Sequence, residues 1–246
     1  MRKEFQMIKK ILLLFHLVAL TWGFNTFNGI LPVIAAEKGK LDGPRIKKPG
    51  ITDTIRANVY ADNWFKLYIN GNLVAVDSIS FIPHNVISID ILPEYPMTIA
   101  VLARDNAEPE TGMEYSNTRI GDGGFILKFT DGIVTSAIWK AKNFFHGPIN
   151  GDIRNPRVKT EPIPEAWWRS DFNDSAWSNA VEHTEKSVNP KAPYFQHDFD
   201  GAKWIWTKDL ALDNTIIFRF KAEHPLNNTS LPADWPRGHI DATERQ

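Results

Sequence analysis

Apolar and mixed positions alternate with a period of two along residues 57–76, the stretch around which the rest of the chain is organised. Phe65, Leu67 and Ile69 alternate with a mixed set, and Asn70-Gly71 separates this run from a second apolar run at 73–77. Asn-Gly accepts the two positive φ angles of a type I′ turn. The pattern therefore predicts an antiparallel β-hairpin with one face packed on a core.

Short apolar and β-branched runs continue along the chain and predict further strands. They lie at 52–61, 85–92, 97–103, 125–129, 133–135, 139–142, 203–206 and 215–221. Residues 97–103 are nearly all apolar, as in a strand that is buried on both faces. A short helix is predicted near Asp174 or Ser175, either of which is a good N-cap. Short strands separated by turn residues predict an all-β, antiparallel β-sandwich in a single domain.

The N-terminus resembles an export signal. Basic residues within positions 2–10 precede the apolar run at 11–20, and Ala35 and Ala36 offer small residues for cleavage. The alternative is an uncleaved membrane anchor, but Asn25 and Pro32 interrupt the uncharged run and favour cleavage. The predicted organisation is a signal peptide or anchor at 1–36, a linker at 37–51, the sandwich at 52–222 and a disordered tail at 223–246.

Composition excludes several classes of function. The chain has 246 residues, a hydrophobic fraction of 43%, a formal net charge of -1 and no cysteine. A nucleic-acid-binding protein needs a basic stripe, which is absent from the predicted domain. The lack of cysteine rules out disulfides and thiolate metal sites, and it suits an exported protein with a large core. We expect a secreted, extracellular location.

Three motifs are similar to segments of galactose-binding-domain-like jelly rolls. They are Asp62-Asn-Trp-Phe65 running into Leu67-Tyr-Ile-Asn-Gly71, Asp171-Phe-Asn-Asp-Ser-Ala-Trp177, and Ala202-Lys-Trp-Ile-Trp206 followed by Ile217-Phe-Arg-Phe220. The resemblance spans about residues 52–222. It implies a jelly-roll sandwich and a carbohydrate-binding, lectin-like or adhesive module, often an accessory to glycoside hydrolases.

The long polar stretch at 104–124 is the predicted ligand-binding loop. Sugars are held by planar hydrogen-bonding side chains and an aromatic platform. The stretch supplies both in Asp105, Asn106, Glu114, Tyr115, Asn117 and Arg119. The alternative is an acidic, solvated loop without a ligand.

Calcium is the cofactor that the same loop suits. Glu108, Glu110 and Asp122 carry the oxygen ligands that Ca²⁺ prefers, and other modules of the resembled fold carry a structural calcium ion. The spacing matches no EF-hand.

No catalytic residue is predicted. Asp171 and Asp174 are interpreted as turn and cap residues rather than an acid/base pair. The tryptophans of the strands are expected in the core, with an exposed face only at Trp167 or Trp168. The histidines are scattered without metal-ligand spacing.

The sequence therefore predicts a secreted, non-catalytic carbohydrate-binding module whose partners are glycans or components of the cell surface or matrix. The alternative is a structural or adhesive extracellular protein that binds protein partners and has no sugar site. Neither nucleic acid nor, after signal cleavage, a membrane span is expected.

Overall fold

Two antiparallel β-sheets pack together in the computed structural model, which describes residues 49–77 and 85–224. The predicted signal peptide or anchor, most of the linker and nearly all of the tail lie outside the described residues. Strands are short and helices are single turns. The predicted all-β, antiparallel sandwich is confirmed.

Twelve strands are defined in the described residues. In chain order they are β1 (Ile55–Asp62), β2 (Trp64–Ile69), β3 (Asn72–Val76), β4 (Ile87–Ile91), β5 (Met97–Arg104), β6 (Gly124–Phe129), β7 (Lys140–His146), β8 (Lys159–Thr160), β9 (Ser178–Asn179), β10 (Val181–His183), β11 (Trp204–Trp206) and β12 (Asp213–Ala222). The α-helix α1 (Glu185–Val188) is capped by the Thr184 side chain, and short 3₁₀ turns lie at Ile51–Asp53, Ile149–Gly151 and Tyr194–Gln196.

The strands divide into two sheets. Sheet A has the order β10-β11-β6-β1-β4. Sheet B has the order β3-β2-β5-β12-β7-β8, with β9 also paired to β7. The predicted hairpin is β2–β3, and its turn residues Asn70 and Gly71 have φ values of 47° and 82°, as the Asn-Gly sequence requires.

The core lies between the inner faces of the two sheets. Phe65 and Leu67 of β2 are fully buried, and they alternate with half-buried positions as the sequence predicts. Phe125 from sheet A stacks on Phe218 from sheet B with ring centroids 5.5 Å apart. Burial of such aromatic and aliphatic side chains between the sheets stabilises the sandwich.

The chain also covers most of the outer faces. On sheet A, the side chains of Tyr60, Ile126 and Trp204 are buried under Val188 and Phe199, which lie between β10 and β11. On sheet B, Trp167 and other aromatic residues between β8 and β9 pack over Ala100 and Ile217. Each sheet is therefore apolar on both faces in its centre.

The tryptophan prediction is partly wrong. Trp139, Trp204 and Trp206 are in the core as expected, and of the pair Trp167 and Trp168 it is Trp168 that keeps a partly exposed face. Trp167 is only 4% exposed, because it packs edge-on against Tyr68. Trp64, expected in the core, is half-buried on the outer face of sheet B. It follows the alternation of β2, which places it on the mixed face.

The helix predicted near Asp174 is wrong. Residues 165–177 form turns. Arg219, on the outer face of sheet B, binds the carboxylate and the backbone carbonyls of this segment. Its guanidinium donates to the Asp174 carboxylate at 2.7 Å, to the Arg169 carbonyl at 3.0 Å and to the Trp167 carbonyl. Asp174 therefore forms an ion pair instead of capping a helix, and Asp171 pairs with Arg169 at 2.9 Å.

Replacing the buried Arg219 tests how strongly it holds this covering segment. We expect Arg219→Met to lower the free energy of unfolding by about 2–4 kcal/mol, because Asp174 and two carbonyls lose their donor. Urea denaturation followed by tryptophan fluorescence measures the change. Arg56→Met is the matched control, since Arg56 is 56% exposed in its pair with Asp90. Equal stability of the two variants would contradict the role assigned to Arg219.

Candidate functional site

The loop between β5 and β6, residues 105–123, is folded back on itself and attached to the end of the sandwich. Glu114 and Arg119 form an antiparallel bridge, with the Glu114 amide donating to the Arg119 carbonyl at 2.8 Å. The Asn106 amide donates to the side chain of Asn63 at 2.6 Å. A β-carbon on Gly112 would lie 2.3 Å from the carbonyl carbon of Gly147, so the backbones meet there without space for a side chain. The loop is therefore packed along much of its length and is not solvated throughout, as the alternative reading of its acidic composition had it.

The predicted sugar-binding residues divide into a buried and an exposed group. The side chains of Asp105 and Glu114 are 3% and 4% exposed, and Asn106 is half-buried. At the tip, Tyr115 is 65% exposed and the Arg119 guanidinium lies 5.9 Å from its ring centroid. Asn117 is exposed beside them and accepts a hydrogen bond from the Thr111 hydroxyl. Only the tip offers these side chains to a ligand.

Beneath the tip, four carboxyl groups interact with one another: Asp62, Asp105, Glu114 and Asp122, here called the carboxyl cluster. Burial, with repulsion by Asp122 and Glu114, raises the pKa of Asp62 to about 7. Burial and the adjacent Glu114 raise the pKa of Asp105 well above its usual range, and burial followed by Glu114 raises that of Asp122. Lys191 is the nearby cation that partly opposes this repulsion.

Asp105 and Glu114 form the centre of the carboxyl cluster. Asp105 Oδ1 accepts the Asn106 amide at 2.6 Å, whereas the buried Oδ2 has no donor among the described residues unless a carboxyl carries a proton. Its neighbour is the Glu114 carboxyl, with which it forms a hydrogen bond when one of the two is protonated. Gly121 leaves room for both, since a β-carbon there would lie 2.4 Å from Asp105 Oδ2.

The residues predicted to bind calcium are placed differently. Glu108 and Glu110 are exposed on the loop and Asp122 belongs to the carboxyl cluster. Within the described parts of the chain, no group of three or more His, Asp or Glu side chains is arranged to hold a metal ion. Calcium binding stays a prediction.

The carboxyl cluster makes stability depend on pH. Between about pH 4, where exposed carboxylates ionise, and the raised pKa values of the cluster, the folded chain keeps protons that the unfolded chain has released. The free energy of unfolding therefore falls as pH rises across this window. We expect a loss of about 2–4 kcal/mol from pH 5 to pH 8, measured by urea denaturation.

Asp105→Asn tests the origin of this slope. The neutral amide can donate to the Glu114 carboxylate, so we expect the variant to be more stable than the wild-type chain at pH 8 and to have a shallower slope. Glu110→Gln, an exposed acid on the same loop, should leave the slope unchanged. A slope unaffected by Asp105→Asn would assign the pH dependence to other groups.

A second feature, the sheet B cleft, lies on the outer face of sheet B where the aromatic cover ends. It has a volume of about 290 Å³. Its lining residues come from strands β5, β7, β8 and β12 and the adjacent loops: Leu102, Arg104, Ala107, Pro109, Phe144, Phe145, Thr160, Glu161, Ile163 and Thr215. A pocket of about 340 Å³ shares Phe144 and Glu161 with it and adds Asn143, His146, Lys159 and Asp213.

The sheet B cleft combines apolar walls with a polar rim. Ile163 is 39% exposed and Phe145 is half-buried. Glu161 accepts from Lys142 at 3.2 Å and from Lys159 at 3.3 Å, and these hydrogen bonds lower its pKa. Exposed Arg104 lies beside Trp64, its cross-strand partner on β2.

Sequence reasoning missed this cleft, although a signal was present. The mixed face of β2 carries Trp64 and Lys66, and Arg104 ends the apolar run of β5. The walls supplied by residues 159–163 and by β7 come from segments distant in the chain, so their meeting depends on the sheet order.

No protein-family model, no curated protein and no solved structure matches the chain. Among the described residues, no helix combines the length and the apolarity needed to cross a bilayer.

Proposed function

We propose that the chain is an exported, non-catalytic module that binds carbohydrate, with the sheet B cleft as its binding site. The observation that carries the proposal is the cleft itself, an open groove with apolar walls and a rim of charged and hydroxyl side chains. Sites for small ligands have this composition and begin at about 300 Å³. A shallow site of this size suits weak binding of a short oligosaccharide.

The motifs similar to galactose-binding-like jelly rolls support the carbohydrate assignment. They occur in β1–β2, in the segment that covers sheet B, and in β11–β12. The N-terminal basic and apolar segment and the lack of cysteine support export.

The carboxyl groups support a role without catalysis. Glycoside hydrolysis ordinarily uses two carboxyl groups on either side of the bond, one of them a general acid with a raised pKa. The carboxyl groups of Asp105 and Glu114 lie close to each other, but both are buried away from any substrate. In the cleft, the pKa of Glu161 is lowered by Lys142 and Lys159, the opposite of what a general acid requires.

A glycan array probed with the full chain tests the proposal, with calcium and with a chelator. We expect binding to a limited set of oligosaccharides. Phe145→Ala should weaken it about three- to tenfold, because the sugar loses an aromatic contact. Tyr115→Ala at the loop tip should leave it unchanged, and circular dichroism checks that both variants fold.

Two outcomes would contradict the proposal. Loss of binding in Tyr115→Ala alone would move the sugar site to the loop tip. The absence of binding to every glycan on the array, with calcium and with the chelator, would favour the structural or adhesive alternative.

A further inference from the structure

Trp64 lies between two cations at the edge of the sheet B cleft. Lys66 Nζ is 5.5 Å from the centroid of its ring and the Arg104 guanidinium carbon is 6.0 Å from it. The indole is fixed, since its Nε1 donates to the Asp77 carbonyl at 2.7 Å. Each cation gains a modest attraction to the ring, but the two repel each other.

Neither cation has a carboxylate partner among the described residues. Their cross-strand neighbours are uncharged: Arg104 lies opposite Trp64 and Thr215, and Lys66 lies opposite Leu102 and Val76. Residues 78–84, which follow Asp77, contain no Asp or Glu. The nearest acid of the cleft, Glu161, is already shared by two lysines.

The charge along this side of the cleft is therefore positive. Arg104 lines the cleft together with Glu161, its one lining carboxylate, and Glu161 is paired with Lys142 and Lys159. Lys66 lies across Trp64 from Arg104, and the adjoining pocket adds the carboxylate of Asp213. Glu108 and Glu110 flank Pro109 at the rim and are exposed. An acidic group on a ligand would consequently favour the Arg104 side over the Pro109 side.

Resting on the proposed function, we propose that the sheet B cleft binds an acidic oligosaccharide whose sugar carboxylate pairs with Arg104. The planar guanidinium matches a carboxylate in two parallel hydrogen bonds, and Lys66 adds a second positive charge. The apolar wall of Phe145 and Ile163 would contact the C–H face of the sugar. Charge complementarity thus selects a uronic-acid-containing chain over a neutral one.

Isothermal titration of the full chain with an oligogalacturonate and with a neutral oligogalactoside of equal length tests this specificity. We expect the acidic chain to bind about tenfold or more tightly at low salt, and to lose that advantage in high salt. Arg104→Ala should remove the advantage, because it weakens binding of the acidic chain far more than binding of the neutral one. Arg104→Lys should keep part of it, and Arg56→Ala on sheet A is the matched control.

The outcomes separate this inference from the proposed function. Equal binding of the two oligosaccharides, or an equal loss of both in Arg104→Ala, would overturn the acidic specificity and leave carbohydrate binding in place. Equally tight binding of dextran sulfate that does not respond to Arg104→Ala would show a general charge effect and also overturn it. Failure of every oligosaccharide to bind would overturn the proposed function itself.

Discussion

The buried guanidinium of Arg219 determines which half of sheet B is covered and which stays open. It holds the carbonyls of Trp167 and Arg169 and the carboxylate of Asp174 on the outer face of β12. The aromatic cover over Ala100 and Ile217 is thereby fixed in position and ends near Leu102. A side chain that is 3% exposed thus sets the boundary of the cleft without lining it.

The two adjacent residues where β5 passes into the loop serve different purposes. Arg104, the last residue of β5, is exposed at the cleft, whereas the next residue, Asp105, turns into the carboxyl cluster. Alternation along a strand explains this, because neighbouring side chains point to opposite faces. The same backbone therefore presents a cation to the outside and buries a carboxyl within a few ångströms.

Burying several carboxyls together is costly, and the cost depends on their protons. Gly121 and the Asn106 amide make room and supply a donor, yet Asp105 Oδ2 depends on a proton shared with Glu114. Such an arrangement favours the folded state at mildly acidic pH. It also places Glu114, one of the buried pair, next to the exposed Tyr115.

The sandwich could be predicted from local pattern, and the site could not. Alternation in β2, the Asn70-Gly71 turn and the apolar run of β5 each specify a strand from adjacent residues alone. Burial of Asp105 and Glu114 depends on contacts with Asn63, Gly121 and Asp62, which are distant in sequence or invisible to periodicity. Acidic composition indicated solvent exposure, and tertiary packing overrode it. The helix predicted at Asp174 failed for the same reason, because the carboxylate expected to cap it pairs with Arg219, 45 residues further along the chain.

The contact between Gly112 and Gly147 limits which part of the loop can tolerate insertions and replacements. The close backbone contact of Gly112 with Gly147 anchors one side of the loop to the segment that follows β7. The Glu114–Arg119 bridge closes the other side. The tip between the two bridge residues, at positions 115–118, is exposed. Insertions and replacements at that short tip would be absorbed without disturbing either sheet, so it is the natural place for related chains to diverge.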